Sequence, residues 1–165
     1  MSRFDTNLPP SRIPVSNLHL PRRRVIIVED DQCLANLYAL VIEKYFSRAQ
    51  ILKYTNGDDV WQELSKADPD LLITDVQHPG TDAWEMLKLL AAAKVTYPIL
   101  MISGEIQPEV EYKNIHPGLK LTMMSKPFYL KNFLKYLTDV FESNGEFTVP
   151  VIQTRPNDST RARLA

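Results

Sequence analysis

Val25-Ile26-Ile27-Val28-Glu29-Asp30-Asp31 is the stretch that decides the fold, because four apolar residues run directly into three carboxylates. A similar pattern, a short and mostly apolar run that leads into a charged residue, recurs at 71–75, which ends in Asp75, and at 121–127, which ends in Lys126-Pro127. Short apolar runs of this kind are typical of strands buried on both faces of a parallel sheet. The carboxyl ends of such strands lie at one edge, where α/β folds bind ligands. We therefore expect the four carboxylates and one ammonium to meet at that edge.

A cluster of acidic side chains needs a counter-cation, because neighbouring like charges raise one another's pKa. Mg²⁺ suits such a cluster, since it takes oxygen ligands, keeps several waters and usually binds one or two carboxylates together with phosphate oxygens. Lys126 indicates a phosphate at the same place. The alternative is that each acid only caps the helix that follows it, as Asp commonly does at a helix N-terminus.

Composition favours one globular domain with tails. A chain of 165 residues, 44% of them hydrophobic, can bury one core and leaves little for a second domain. The formal net charge is -1, but residues 1–24 hold five arginines and one aspartate, so the central part of the chain is acidic. An acidic core disfavours nonspecific nucleic-acid binding by that core.

Cys33 is the only cysteine, which excludes an intrachain disulfide and is consistent with a reducing compartment. It stands where a helix should start, and we expect it to be packed as a small apolar side chain. No apolar stretch reaches the length of a membrane span, and the N-terminus lacks the apolar core of a signal peptide. We expect a cytoplasmic protein with no membrane contact.

Strand and helix patterns alternate over residues 23–143, between an extended arm at 1–22 and a disordered tail at 144–165. Strands are expected near 25–28, 50–54, 71–75, 99–102 and 121–124. Helices are expected near 32–46, through 60–64, after a cap at Thr81 or Asp82, and over 130–141. Residues 107–116 form at most a short or irregular helix. Apolar residues recur at helical spacing in the first helix at Leu34, Leu37, Tyr38, Val41 and Tyr45, and in the last at Leu130, Phe133, Leu134, Leu137 and Phe141.

Five strands alternating with helical segments predict right-handed crossovers and a doubly wound α/β fold. We choose the flavodoxin-like (βα)5 three-layer sandwich, with a parallel five-stranded sheet in the order 2-1-3-4-5. In that order the first and third strands are neighbours at the switch point, which brings Asp30 beside Asp75.

Several motifs have the order and spacing of a known family. Asp30 lies 45 positions before Asp75, Asp75 lies 28 before Ser103, and Ser103 lies 23 before Lys126. With Pro79 and the Lys126-Pro127-Phe128 run, these motifs resemble the receiver domain of two-component response regulators, of the single-domain type represented by the chemotaxis regulator. The resemblance covers about residues 24–142.

The resemblance implies a role for each residue of the cluster. Asp75 would be the phosphoacceptor and a Mg²⁺ ligand, Asp30 a direct ligand, Glu29 a ligand through water and Gln77 a ligand through its backbone carbonyl. Lys126 would pair with the phosphoryl oxygens. The Ser103 hydroxyl would donate to one of these oxygens once the acyl phosphate forms, and its movement would be the switch event.

The resemblance also implies partners. A sensor histidine kinase or a histidine phosphotransfer protein would supply the phosphoryl group, and an unknown downstream protein would receive the signal by direct contact. The chain would be a phosphoacceptor with self-catalysed phosphorylation and dephosphorylation, and not a multiple-turnover enzyme. Direct DNA binding is disfavoured, because the C-terminal tail is short and aperiodic. A homodimer stays open.

Three positions depart from the family pattern. Met123 stands where the family usually has an aromatic residue whose rotamer is coupled to the position of the switch hydroxyl. With methionine there, the switch would be muted or carried by flexible packing. His78 stands where Met is common, and we expect it to be solvated. Ala83 stands where Gly is common, which would restrict the loop if that position needed a positive φ.

Two other functions compete with phosphorylation-dependent signalling. The first is an interaction module that keeps the receiver fold and acts without phosphorylation, which Met123 and the irregular segment at 107–116 motivate. The second is a Mg²⁺-dependent phosphatase on external substrates. It is motivated only by the acidic cluster, since no second catalytic acid, glycine-rich phosphate loop or substrate domain is evident in the sequence.

Overall fold

A computed structural model describes residues 22–104 and 117–142. Along the chain it contains β1 (Arg23–Val28), α1 (Gln32–Tyr45), β2 (Ala49–Tyr54), α2 (Gly57–Leu64), β3 (Leu71–Asp75), α3 (Ala83–Ala92), β4 (Pro98–Ser103), β5 (Lys120–Ser125) and α4 (Leu130–Glu142). The arm at 1–21, the segment at 107–116 and the tail at 144–165 lie outside the described residues, so the predictions made for them stay predictions.

The five strands form one parallel sheet in the order β2-β1-β3-β4-β5. The predicted flavodoxin-like α/β fold and its strand order are therefore confirmed. Consecutive strands that run parallel need a crossover, and a helix provides it between β1 and β2, β2 and β3, and β3 and β4.

Alternate residues of β1 face two separate cores, as strand geometry requires. Val25 and Ile27 pack with α1 and α4, whereas Ile26 and Val28 pack with α2 and α3. All four side chains are fully buried. Each contributes about 1.5–3 kcal/mol through removal of its apolar surface from water. The apolar run before Glu29 is continuous because both faces of the strand are covered.

Polar side chains begin three of the helices. Asp31, Asn56 and Asp82 each accept hydrogen bonds from backbone N–H groups in the first turn of α1, α2 and α3. Such caps satisfy donors that have no partner within the helix. Of the two cap candidates before α3, Asp82 is therefore the one that is used.

Two predicted faces were partly wrong. Leu37 in α1 is 52% exposed, because it is turned about 100° from Tyr38 and lies outside the buried stripe of that helix. Cys33, four residues earlier on the same exposed side, is also exposed and is not packed in the core. Leu130 is 50% exposed, since it opens α4 before the helix reaches the core that holds Phe133.

None of the helices in the described ranges combines the length and apolarity that crossing a membrane requires.

Candidate functional site

The register of the central strands brings the predicted acidic residues together. Val28 of β1 pairs with Thr74 of β3, so Glu29 leaves β1 at the level where Asp75 ends β3. On the other side Ile102 of β4 pairs with Asp75, and Ser103 is the next residue. Every candidate side chain therefore follows a strand to the same edge of the sheet.

Glu29, Asp30 and Asp75 form a compact group of carboxylates. One oxygen from each lies within 4.8 Å of the others. Glu29 is 2% exposed and Asp75 9% exposed, whereas Asp30 is open to solvent. The group is thus buried on the Glu29 side and accessible on the Asp30 side, as a site that receives a ligand from solvent must be.

Asp31, the fourth carboxylate, is not part of this group. Its Oδ1 accepts hydrogen bonds from the backbone N–H groups of Cys33 at 2.8 Å and Leu34 at 3.2 Å, and so caps α1. The prediction that four carboxylates would meet was therefore wrong for Asp31, and three carboxylates form the cluster. The capping alternative describes Asp31 but not Glu29, Asp30 or Asp75.

Lys126 reaches the two buried carboxylates. Its Nζ lies 2.6 Å from Asp75 Oδ2 and 2.9 Å from Glu29 Oε2, and the lysine side chain is 21% exposed. The backbone N–H of Lys126 donates to the Ser103 carbonyl at 2.6 Å. This last bond ties the segment that carries the ammonium to the end of β4.

Burial and ion pairing act in opposite directions on these groups. Burial raises the pKa of Glu29 above its usual value, and the nearby Asp75 charge adds to the rise, while the hydrogen bond from Lys126 works against it. Burial would lower the pKa of Lys126, but its hydrogen bonds to Asp75 and Glu29 outweigh burial and raise the pKa. The ammonium therefore stays charged and offsets part of the negative charge of the cluster.

Gln77 and Ser103 adjoin the cluster through different groups. The Gln77 backbone N–H donates to Asp75 Oδ1 at 3.2 Å, and the Gln77 side chain is exposed. Ser103 is 4% exposed at the end of β4. Both residues thus lie where the sequence predicted, and the ligand role of the Gln77 carbonyl and the switch role of the Ser103 hydroxyl stay predictions.

The start of α2 holds the loop that follows Asp75. The sequence predicted the helix but did not indicate this contact. Asp58 Oδ1 accepts hydrogen bonds from the Thr81 N–H at 2.9 Å and the Thr81 hydroxyl at 2.6 Å, and these bonds lower the pKa of Asp58. The Gly57 N–H donates to the Pro79 carbonyl at 2.9 Å. Gly80, with a φ of 79°, supplies the left-handed conformation of the loop.

The structure shows the surroundings of the three residues that depart from the family pattern. Ala83 is the first residue of α3, is fully buried and has no positive φ, so the alanine does not strain the loop. Met123 is half-buried on β5 and pairs in register with Met101 of β4. His78 is half-buried rather than solvated, because its ring lies against Gly57, and it lies outside the carboxylate group.

The cluster has the composition and the dimensions of a Mg²⁺ site. All its donor atoms are oxygens, and oxygens bound to one Mg²⁺ at about 2.1 Å lie at most about 4.2 Å apart. The three carboxylate oxygens lie within 4.8 Å of one another, which is near that limit for direct ligands and leaves room for a carboxylate that binds through water. Glu29, Asp30 and Asp75 are therefore the side chains that fit the ion.

Residues 25–138 match the response regulator receiver domain family. The chain belongs to this family. The curated relatives of this receiver domain include the alkaline phosphatase synthesis transcriptional regulatory protein PhoP of Bacillus subtilis, which is 27% identical over 64% of this chain and 43% of its own length. They also include the cell cycle transcriptional regulator CtrA of Caulobacter vibrioides, which is 26% identical over 79% of this chain and 55% of its own length. The receiver chain thus spans about half the length of the curated relatives it matches.

Solved structures agree with the fold of this receiver domain. The chemotaxis response regulator CheY4 of Vibrio cholerae has a TM-score of 0.60 and 24% identity, over 73% of this chain and 99% of that chain. The N-terminal domain of an uncharacterised protein from Wolinella succinogenes has a TM-score of 0.63 and 23% identity, over 74% of this chain and 96% of that chain. At these identities the likeness concerns the fold alone.

Proposed function

We propose that this receiver domain accepts a phosphoryl group from a phosphohistidine onto Asp75, with Mg²⁺ at Glu29, Asp30 and Asp75. The observation that carries the proposal is the position of the Asp75 carboxylate, which ends a central strand 2.6 Å from the Lys126 ammonium and within 4.8 Å of two further carboxylates. A nucleophile, a cation and oxygen ligands for a metal lie within reach of one incoming phosphoryl group. The donor would be a sensor histidine kinase or a histidine phosphotransfer protein.

The transfer makes one bond and breaks one. An oxygen of the Asp75 carboxylate attacks phosphorus, the P–N bond to the donor imidazole breaks, and the electron pair returns to the imidazole nitrogen. Such a displacement depends on positioning and on neutralising charge at the phosphoryl oxygens more than on acid or base chemistry. Lys126 supplies a fixed positive charge and the Ser103 hydroxyl a hydrogen-bond donor. Bound Mg²⁺ would supply the remaining positive charge, with Glu29 acting through water and the Gln77 carbonyl as a further ligand.

The downstream role is contact with another protein. The matched relatives named above are transcriptional regulators about twice as long as the matched region. For this chain we propose that phosphorylation alters the surface near Ser103 and Lys126, that a protein partner reads the change, and that the reaction occurs in the cytoplasm. DNA binding by the receiver domain itself is not part of the proposal.

Intact-mass spectrometry after incubation with Mg²⁺ and a small phosphoryl donor tests the proposal. Wild type should gain one phosphoryl group in an adduct that is stable to acid and labile to base, and Asp75→Asn should gain none. Asp139→Asn, at a 60%-exposed side chain on α4, is the matched control and should behave as wild type.

If wild type stays unlabelled with both a small donor and a histidine-phosphorylated protein, the proposal is wrong. That outcome would favour the interaction module that acts without phosphorylation. Labelling of Asp75→Asn would place the acceptor at another residue.

A further inference from the structure

Tyr38 has a hydroxyl group that is buried without a partner. The side chain is 2% exposed, and within the described ranges its oxygen has no hydrogen-bond partner. Buried polar groups are nearly always hydrogen-bonded, because leaving one unpaired costs free energy. Phenylalanine would fill the same space without that cost, as Phe128 and Phe133 do beside it.

The Tyr38 ring lies between α1 and the segment that carries Lys126. Its centroid is 6.1 Å from that of Phe128, which follows Lys126 by two residues, and 5.6 Å from that of Phe133 in α4. Burial raises the pKa of the hydroxyl to about 12, and the charges that act on it are Lys126, Glu29, Asp75 and Asp31, in decreasing order. The hydroxyl is therefore neutral at ordinary pH, and of the site's charges that of Lys126 acts on its pKa most, in the direction opposite to burial.

Lys126 has a donor that this hydroxyl could use. A lysine ammonium has three N–H donors, and here Glu29 and Asp75 accept two of them. When a phosphoryl group and a divalent cation occupy the cluster, the ammonium must give up at least part of its contact with these carboxylates. An acceptor close to the site that is neither a metal ligand nor a phosphoryl oxygen would then hold the ammonium in position.

We propose that Tyr38 is a positioning residue of the phosphoacceptor site, whose hydroxyl oxygen accepts a hydrogen bond from Lys126 when the cluster is loaded. The ammonium would thereby be held against the phosphoryl oxygens, while the aromatic contacts with Phe128 and Phe133 fix the position of the ring. This inference rests on the proposed function. It goes beyond that function by assigning a role to a buried side chain of α1 that no motif indicated.

Binding of beryllofluoride, a stable mimic of an acyl phosphate, tests the inference. The affinity at saturating Mg²⁺ is measured by ¹⁹F NMR for wild type, Tyr38→Phe and Tyr136→Phe. Tyr136 is the matched control, because its hydroxyl is also buried and its pKa is also about 12, but it lies beside Thr122 and away from the charged cluster. We expect affinity to fall at least about ten-fold for Tyr38→Phe, as for the loss of a hydrogen bond to a charged group, and to stay unchanged for Tyr136→Phe.

A second measurement on the wild-type protein is independent of how well the variant folds. With ¹³C at the tyrosine Cζ, the Tyr38 resonance should move when Mg²⁺ and beryllofluoride bind, and the Tyr136 resonance should not. Equal affinity in wild type and Tyr38→Phe, an equal loss in both variants, or an unmoved Tyr38 resonance on binding would overturn the inference and leave the proposed function intact. Failure of wild type to bind would instead refute the proposed function, and this role with it.

Discussion

Replacing Lys126 by methionine should destabilise the metal-free protein, because two buried carboxylates would lose their shared cation. Lys126 contacts Asp75 at 2.6 Å and Glu29 at 2.9 Å, and the two acidic side chains are 11% and 2% exposed. Removing one partner of a buried ion pair costs about 3–5 kcal/mol. Since the lysine side chain is 21% exposed, water can replace part of the interaction, and we expect a loss of about 2–3 kcal/mol at pH 7.5.

The loss should depend on pH with a defined sign. Burial already raises the pKa of Glu29 above its ordinary value of 4.5, and removing the Lys126 hydrogen bond, which lowers it, should raise it further. Between the ordinary and the raised pKa the folded state binds a proton that the unfolded state does not, so stability falls as pH rises through this window. The variant should therefore recover stability relative to wild type as the pH is lowered from 7.5 toward 5.

Urea denaturation followed by circular dichroism, with a chelator present, measures the free energy of unfolding. Lys135→Met is the matched control, because Lys135 makes a 2.6 Å ion pair with Asp139 on the exposed face of α4. Such exposed pairs contribute about 0.3–0.5 kcal/mol. The reasoning is refuted if the two variants lose the same stability at pH 7.5, or if the Lys126→Met deficit does not shrink at lower pH.

Mg²⁺ should restore part of the stability of Lys126→Met, since a cation bound to the carboxylates replaces the lost ammonium. Measuring the melting temperature at increasing Mg²⁺ concentrations checks this. If Mg²⁺ changes the melting temperature of neither wild type nor the variant, that result contradicts a metal site. Gly57→Ala should destabilise the protein by about 1–3 kcal/mol, because the added Cβ would lie 2.1 Å from the Thr81 carbonyl oxygen. Gly118→Ala is the control, because a Cβ at Gly118 meets nothing within 4 Å. Equal melting temperatures of the two variants would show that α2 does not hold the loop. Asp82→Ala should cost about 1 kcal/mol through loss of the α3 cap, measured by urea denaturation, and an unchanged midpoint would show that the cap is dispensable.

The sequence alone was enough for the fold and for the edge of the sheet at which the candidate site lies. The runs before Glu29 and Asp75 are continuous in apolar residues because both faces of the central strands are buried. This property is visible within a few consecutive residues of the sequence. Alternation of strands with helices then leaves few topologies, and the one chosen is the one observed. The spacing of the motifs indicated the family in the same way.

The tertiary structure decided which side chains act together. Lys126 and Glu29 are 97 residues apart, and only the packed sheet shows that one ammonium serves both buried acids. Asp31 looks like its two acidic neighbours in the sequence, yet its carboxylate is used by the backbone of α1. Tyr38 and Leu37 are adjacent apolar positions, but the rotation of one helix buries the first and exposes the second. Local patterns determine which elements form, whereas distances between side chains depend on how those elements pack, and the chemistry of this site depends on those distances.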